Sequence, residues 1–299
     1  MDLNLTLVRL IAVLESERAL PPAALFAIKG AFPEAFRRAA GCWAPGESCR
    51  AGEACPCRQT FGQALSPDPE ALRRFQKPPL PFVFSFPARA ARPGEPLELG
   101  LTLVGEAANH LPLYLAALRE LFALPALRRR LPCRLRTILS CDAAGTRYEL
   151  LTAAGQIHPD RVVLIPAGDL IVAPPAVDEV RVRLQTPLRL MRDGRPLQEV
   201  EPAVLCGALF RRISSLAYYY NGICLAQDFK ELAAQSRELR LVTPRCHWAD
   251  WGGGVQGLLG SFGLAGELAE LLPFLQLGEL LQVGKGSAYG MGDYSLTFS

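Results

Sequence analysis

The sequence predicts an α+β protein built from two ferredoxin-like units in tandem, each of βαββαβ order. Three observations carry this. Strand and helix patterns alternate in the same order in both halves, and a Pro174-Pro175 pair divides them. The 299 residues also suffice for about two domains with cores of their own. The expected domains are residues 1–173, carrying a cysteine-rich insertion, and residues 176–299, carrying a glycine-rich loop.

In the first half, 4–14 sets Leu5, Leu7, Arg9, Ile11 and Val13 on one face and is apolar on much of the other, as in a strand buried on one side and partly on both. Pro21-Pro22 ends it, and a helix is expected over 23–40, bearing Lys29, Glu34, Arg37 and Arg38. Strands follow at 82–86 and 97–104, then a helix at 111–124 with Pro112 in its first turn. Residues 134–139 and 147–152 read as a hairpin across the 142–145 turn. The second half repeats the order: a strand at 179–185, a helix at 202–220, a strand starting at 240–242, a Gly-rich strand at 255–264, a helix at 268–281 and a closing strand at 294–298.

Composition bounds the function. Half the residues are apolar and 20% are charged, which excludes a disordered chain. Asp2 and Asn4 interrupt any leader-like start, and no run reaches the roughly 20 apolar residues of a spanning helix. A cytoplasmic location with no membrane partner is expected. The net charge of +3 decides nothing by itself. Of 32 basic residues 28 are Arg, which suits phosphate recognition and equally suits a GC-rich genome. The densest basic cluster is Arg128, Arg129, Arg130, Arg134 and Arg136.

Nine cysteines, an odd number, argue against a disulfide framework. Cys42, Cys49, Cys55 and Cys57 crowd into one loop and could enclose a zinc ion, but C-x6-C-x5-C-x-C lacks paired C-x2-C knuckles. The favoured reading is reduced thiols packing a loop, with no metal and no small-molecule cofactor.

The clearest functional signal is Val283-Gly284-Lys285-Gly286-Ser287-Ala288-Tyr289-Gly290-Met291-Gly292. Gly284, Gly286, Gly290 and Gly292 permit positive φ, successive amides can form an anion-binding concavity, and Lys285 adds a charge. The pattern is neither a Walker loop nor a dinucleotide fingerprint, because a strand follows it. A tight structural connection is the competing reading. LGELLQVGKGSAYGMGDYSL resembles the C-terminal signature of the CRISPR-associated endoribonucleases that process precursor CRISPR RNA, members of the RAMP superfamily. Thr186-Pro187-Leu188-Arg189 with LFRRISSLAYYYNG is similar to that family's second-domain helix, and LPPAALFAIKGAFPEAFRRAAGCW to its first helix.

The resemblance implies two ferredoxin-like domains, CRISPR repeat RNA as the bound partner alongside other CRISPR effector-complex subunits, and one metal-independent cut per repeat. The ribose 2′-OH would attack the adjacent phosphate, giving a 2′,3′-cyclic phosphate and a 5′-OH. Many relatives carry a His on the first helix where this sequence has Glu34, and no His precedes His110. An electrostatic mechanism is therefore expected, with Lys29, Arg37 and Arg38 neutralising the phosphate. His247 joins them as a candidate because Arg245, Trp248 and Trp251 interleave charge and aromatic surface around it. His110 reads as a helix cap and His158 as a surface turn. Expected RNA contacts are Gly284, Lys285, Gly286, Gly290, Gly292, Arg211, Arg212, Arg245, Arg128, Arg129 and Arg130. A non-catalytic RNA-binding subunit and a phosphate-binding regulator are the rival functions.

Overall fold

The computed structural model describes residues 5–42, 52–75, 77–87, 89–172 and 177–298. The chain divides into two compact units, Thr6–Ile165 and Pro166–Ser299 with Met1–Leu5. The expected Pro174-Pro175 linker lies outside the described residues.

The first unit opens with β1 (Thr6–Ser16). The prolines at 21 and 22 then force a 3-10 turn over Pro22–Ala27, so α1 starts only at Ile28 and runs to Ala39. Pro33 lies inside α1 and has no N–H to give to the Lys29 carbonyl, which interrupts the helical ladder between the two basic ends. Short helices α2 (Pro56–Phe61) and α3 (Pro69–Arg74) lead to β2 (Phe82–Ser85) and β3 (Pro96–Val104). Then come α4 (Leu111–Ala123), α5 (Pro125–Arg128), β4 (Cys133–Cys141) and β5 (Arg147–Leu151). The sheet order is β2-β3-β1-β4-β5, with β6 (Ile165–Pro166) closing this part of the chain. The first four strands have the ferredoxin-like order.

β1 is the central strand, paired antiparallel with β3 (Leu10 opposite Leu101) and with β4 (Leu10 opposite Ser140). Val8, Leu10, Ala12 and Leu14 are fully buried, while Arg9, Ile11 and Val13 are only half-buried, so the better-covered face is the one opposite Ile11. An aromatic cluster forms the core. Phe32 meets Phe84 edge-on at 4.9 Å, and Phe36 meets Tyr114 at 5.1 Å and Phe61 at 5.2 Å.

The second unit runs β7 (Glu179–Leu184), the two-residue strands β8 (Met191–Arg192) and β9 (Arg195–Pro196), α6 (Pro202–Asn221), α7 (Phe229–Glu238), β10 (Arg240–Asp250), β11 (Gln256–Ala265), α8 (Leu272–Leu281) and β12 (Tyr294–Phe298). Its main sheet, in the order β10-β11-β7-β12, is again ferredoxin-like. α6 stops at Gly222, whose φ of 67° suits a residue without Cβ. Two expectations needed correction here. α7 was not anticipated, although Asp228 caps it by accepting from the amides of Lys230 and Glu231. β10 continues eight residues past Val242 because a bulge between Val242 and Arg245 absorbs Pro244.

Candidate functional site

The glycine loop leaves α8 at Gln282, whose φ is 55°, and returns to β12. Gly284, Gly286, Gly290 and Gly292 have φ of 89°, 88°, 87° and 72°, all in the region that glycine favours. The reason differs from a ligand's approach. A Cβ at Gly284 would stand 2.6 Å from the Arg189 carbonyl oxygen, one at Gly286 2.7 Å from Met291 Sδ, and one at Gly292 would collide with the Val283 carbonyl. The loop is thus folded tightly on its own chain. The amides of Lys285 and Gly292 donate to the carbonyls of Arg189 (2.9 Å) and Pro187 (3.0 Å), and Asp293 N–H donates to Thr186 Oγ1 (2.9 Å). The segment 186–189 and the loop, singled out separately in the sequence, therefore form one unit.

The amides of Gly286, Ser287 and Ala288 make no hydrogen bond among the described residues, and Lys285 is exposed beside them. Ser287 and Ala288 are buried, so exposed Lys285 and half-buried Gly286 are the groups best placed to receive an anion. Behind the loop stand Asp293 and Glu279, both half-buried. Burial and the neighbouring Glu279 push the Asp293 carboxyl up to about 7. Burial also raises Glu279, partly offset by the bond it accepts from Leu296 N–H.

Arg211 and Arg212 have different fates. Arg211 is exposed, whereas Arg212 Nε donates to the Leu281 carbonyl at 2.6 Å and so caps α8. Burial lowers the Arg212 guanidinium to about 10, and its Nη2 is shut off from solvent without a partner. The expected pair of RNA contacts thus reduces to one exposed guanidinium and one that serves the fold. On β10, Arg245 and His247 are both exposed and share a face, while Ala249, next on that face, is buried.

In the first unit the basic residues of α1 are unequal. Arg38 Nη2 lies 2.6 Å from Glu34 Oε1, so the residue in the family's His position forms an ion pair with a candidate phosphate ligand. Lys29 is exposed and Arg37 half-buried, and neither has an ion-pair partner among the described residues. Arg128, Arg129 and Arg130 are exposed at the end of α5. Arg128 lines a polar cleft of about 590 Å³ with Arg119, Arg134 and Arg136. Arg134 and Arg136 are partly offset there by Glu17 at 3.0 Å and Glu15 at 3.4 Å. His110 sits at the N-cap of α4 but does not cap it; its Nε2 is 2.7 Å from Gln59 Oε1 instead. His158 precedes a 3-10 turn, Pro159–Arg161. Cys57 hydrogen-bonds with Cys42 and Cys55, and Cys49 lies outside the described residues. Among the described residues no group of three or more His, Cys, Asp or Glu is arranged to hold a metal ion.

Residues 3–162 match a family model described as an N-terminal domain. Residues 182–294, which contain the whole glycine loop and the 186–189 segment, match the model for CRISPR-associated endoribonuclease Cas6. Over residues 182–294 the chain is Cas6-like. Solved Cas6 structures share its fold. A Cas6 product complex aligns with a TM-score of 0.57 at 19% identity, covering 98% of this chain and 99% of that one. Thermus thermophilus Cas6 gives 0.53 at 19% identity over 98% and 99%. A partial Cas6-RT-Cas1–Cas2 complex gives 0.57 at 14% identity, and there this chain spans 46% of the matched chain's length. No curated protein sequence matches the chain. Among the described residues no helix is long and apolar enough to cross a membrane.

Proposed function

We propose that this Cas6-like chain binds the repeats of CRISPR precursor RNA, cuts once within each repeat without a metal ion, and stays bound to the mature crRNA. The observation that carries this reading is the glycine loop closed on residues 186–189, inside the segment that matches the Cas6 endoribonuclease model. The solved neighbours that hold a product support the same reading, and those bearing RT, Cas1 and Cas2 favour other CRISPR proteins as partners.

Lys285, the Gly286 amide, Arg211 and Arg245 hold the RNA backbone in this account, and Arg128, Arg129 and Arg130 extend the basic surface in the first unit. Lys285, Arg211, Arg245, Arg128, Arg129 and Arg130 expose their charges for phosphate, while Ser287 and Ala288 are buried residues whose amides lie within the loop. The 2′-OH attacks the adjacent phosphate, the 5′-oxygen departs, and a cyclic phosphate remains. Lys29 and Arg37 neutralise the phosphorane, with Arg38 shared between phosphate and Glu34. His247, exposed on β10, contacts the RNA beside Arg245.

Glu34 at the family's His position favours one other reading, a non-catalytic crRNA-binding subunit of an effector complex. Incubation with labelled repeat RNA in EDTA separates the two. Cyclic-phosphate products support the nuclease, and retarded but intact RNA supports the binding subunit.

A further inference from the structure

We propose that His110 is the proton-transfer residue of the cleavage and that Gln59 is its positioning residue, an inference that rests on the nuclease reading above. The chain has three histidines. His247 has no hydrogen-bond partner for its ring among the described residues, and His158 is tied only through its backbone, its N–H donating to the Leu150 carbonyl. His110 alone is oriented by its ring. In the tautomer that satisfies this contact, Nε2–H donates to the Gln59 Oε1 acceptor and the Nδ1 lone pair is available. That is the form a general base requires.

The surroundings fit the task. Tyr114, one turn beyond His110 on α4, faces Phe36 of α1 at 5.1 Å and Thr60 of α2 at 3.5 Å. Arg37 follows Phe36, and the exposed Arg58 precedes Gln59. The imidazole thus belongs to the end of the first unit where α1, α2 and the start of α4 meet, with a guanidinium on each of the two neighbouring helices. Nδ1 takes the proton from the ribose 2′-OH as the new P–O bond forms. The P–O5′ bond breaks, the departing oxygen takes a proton from water, and the imidazolium returns its proton to solvent. This supplies from α4 what the first helix lacks at Glu34.

Single-turnover cleavage of repeat RNA at saturating protein, from about pH 5.5 to 9, tests the inference, with RNA affinity measured in parallel. The wild-type rate is expected to rise with pH across this range, as a general base requires. His110→Ala should lose about 100- to 10,000-fold in rate while RNA affinity stays within about threefold. Gln59→Glu should move the ionisation to higher pH, because a carboxylate favours the imidazolium; loss of a merely structural contact would not move it. Wild-type cleavage that persists in His110→Ala, or an unmoved profile in Gln59→Glu, would overturn the role of His110 and leave the nuclease reading intact. A wild-type protein that binds the repeat without cutting it would overturn both.

Discussion

The backbone amide of Lys285 donates to the Arg189 carbonyl at 2.9 Å, tying the glycine loop to the strand exit 96 residues earlier in the sequence. The tie pulls the Lys285 backbone inward while its ammonium group stays in solvent. Fold and binding should therefore separate by mutation. Gly286→Val, at φ 88° and facing Met291, should cost about 1–3 kcal/mol of stability. Lys285→Ala should melt like wild type, bind RNA more weakly and lower the slope of log K against log salt by about one. Thermal melts with RNA titrations at several salt concentrations check this. A Gly286→Val protein of full stability would contradict the packing argument.

The two adjacent arginines of α6 make the same distinction. Arg212→Ala removes the cap on Leu281 and should cost about 1.5–3 kcal/mol of stability. Arg211→Ala should leave stability unchanged and weaken RNA binding. Equal melting temperatures for the two variants would show that the Leu281 bond contributes little.

Asp293 predicts a pH-dependent stability. Its folded-state carboxyl is raised to about 7 from 3.8 by burial and by Glu279, so the folded protein keeps a proton that the unfolded chain releases. Stability from this group is highest below its unfolded value and falls as pH rises toward 7, where the full penalty is reached. Asp293→Asn should remove that slope and stabilise the protein at pH 8 by up to about 4 kcal/mol. Denaturant unfolding from pH 5 to 8 measures it; parallel curves for both proteins would contradict the assignment.

Much of the fold was legible in the sequence because its strands alternate clearly and its breakers are explicit. The closing strand 294–298 is as expected, and Pro202 opens α6 where a helix start was read. α7 escaped although Asp228 and Glu231 stand at capping-box spacing, because its apolar stripe is thin. Pro244 hid most of β10, since a proline within a strand usually ends it and only the bulge on this edge strand spares it. The site was legible in type but not in partnership. Nothing local distinguishes Arg211 from Arg212, and the Arg189 carbonyl that Gly284 packs against lies 95 residues away in sequence. His110 read as a cap because its position is right; only the fold brings Gln59 to its ring.

The cysteine loop gives a chemical prediction. Burial, with Cys42 and Cys55 beside it, pushes the Cys57 thiol up to about 12, so it stays protonated near neutral pH. Alkylation at pH 8 should reach the exposed Cys224 well before Cys57, and protein purified without chelator should carry less than one zinc per chain. Stoichiometric zinc, lost in a Cys49→Ser/Cys55→Ser variant, would show that the irregularly spaced thiols bind metal after all.

The most direct test of the central claim is cleavage of 5′-labelled repeat RNA by the purified chain in excess EDTA, with the product ends identified. The account predicts one cut per repeat, yielding a 2′,3′-cyclic phosphate and a 5′-OH. It further predicts a rate in Arg37→Ala that falls about 100- to 1000-fold at saturating protein. Intact RNA in EDTA, with cutting restored only by a divalent cation, would contradict it.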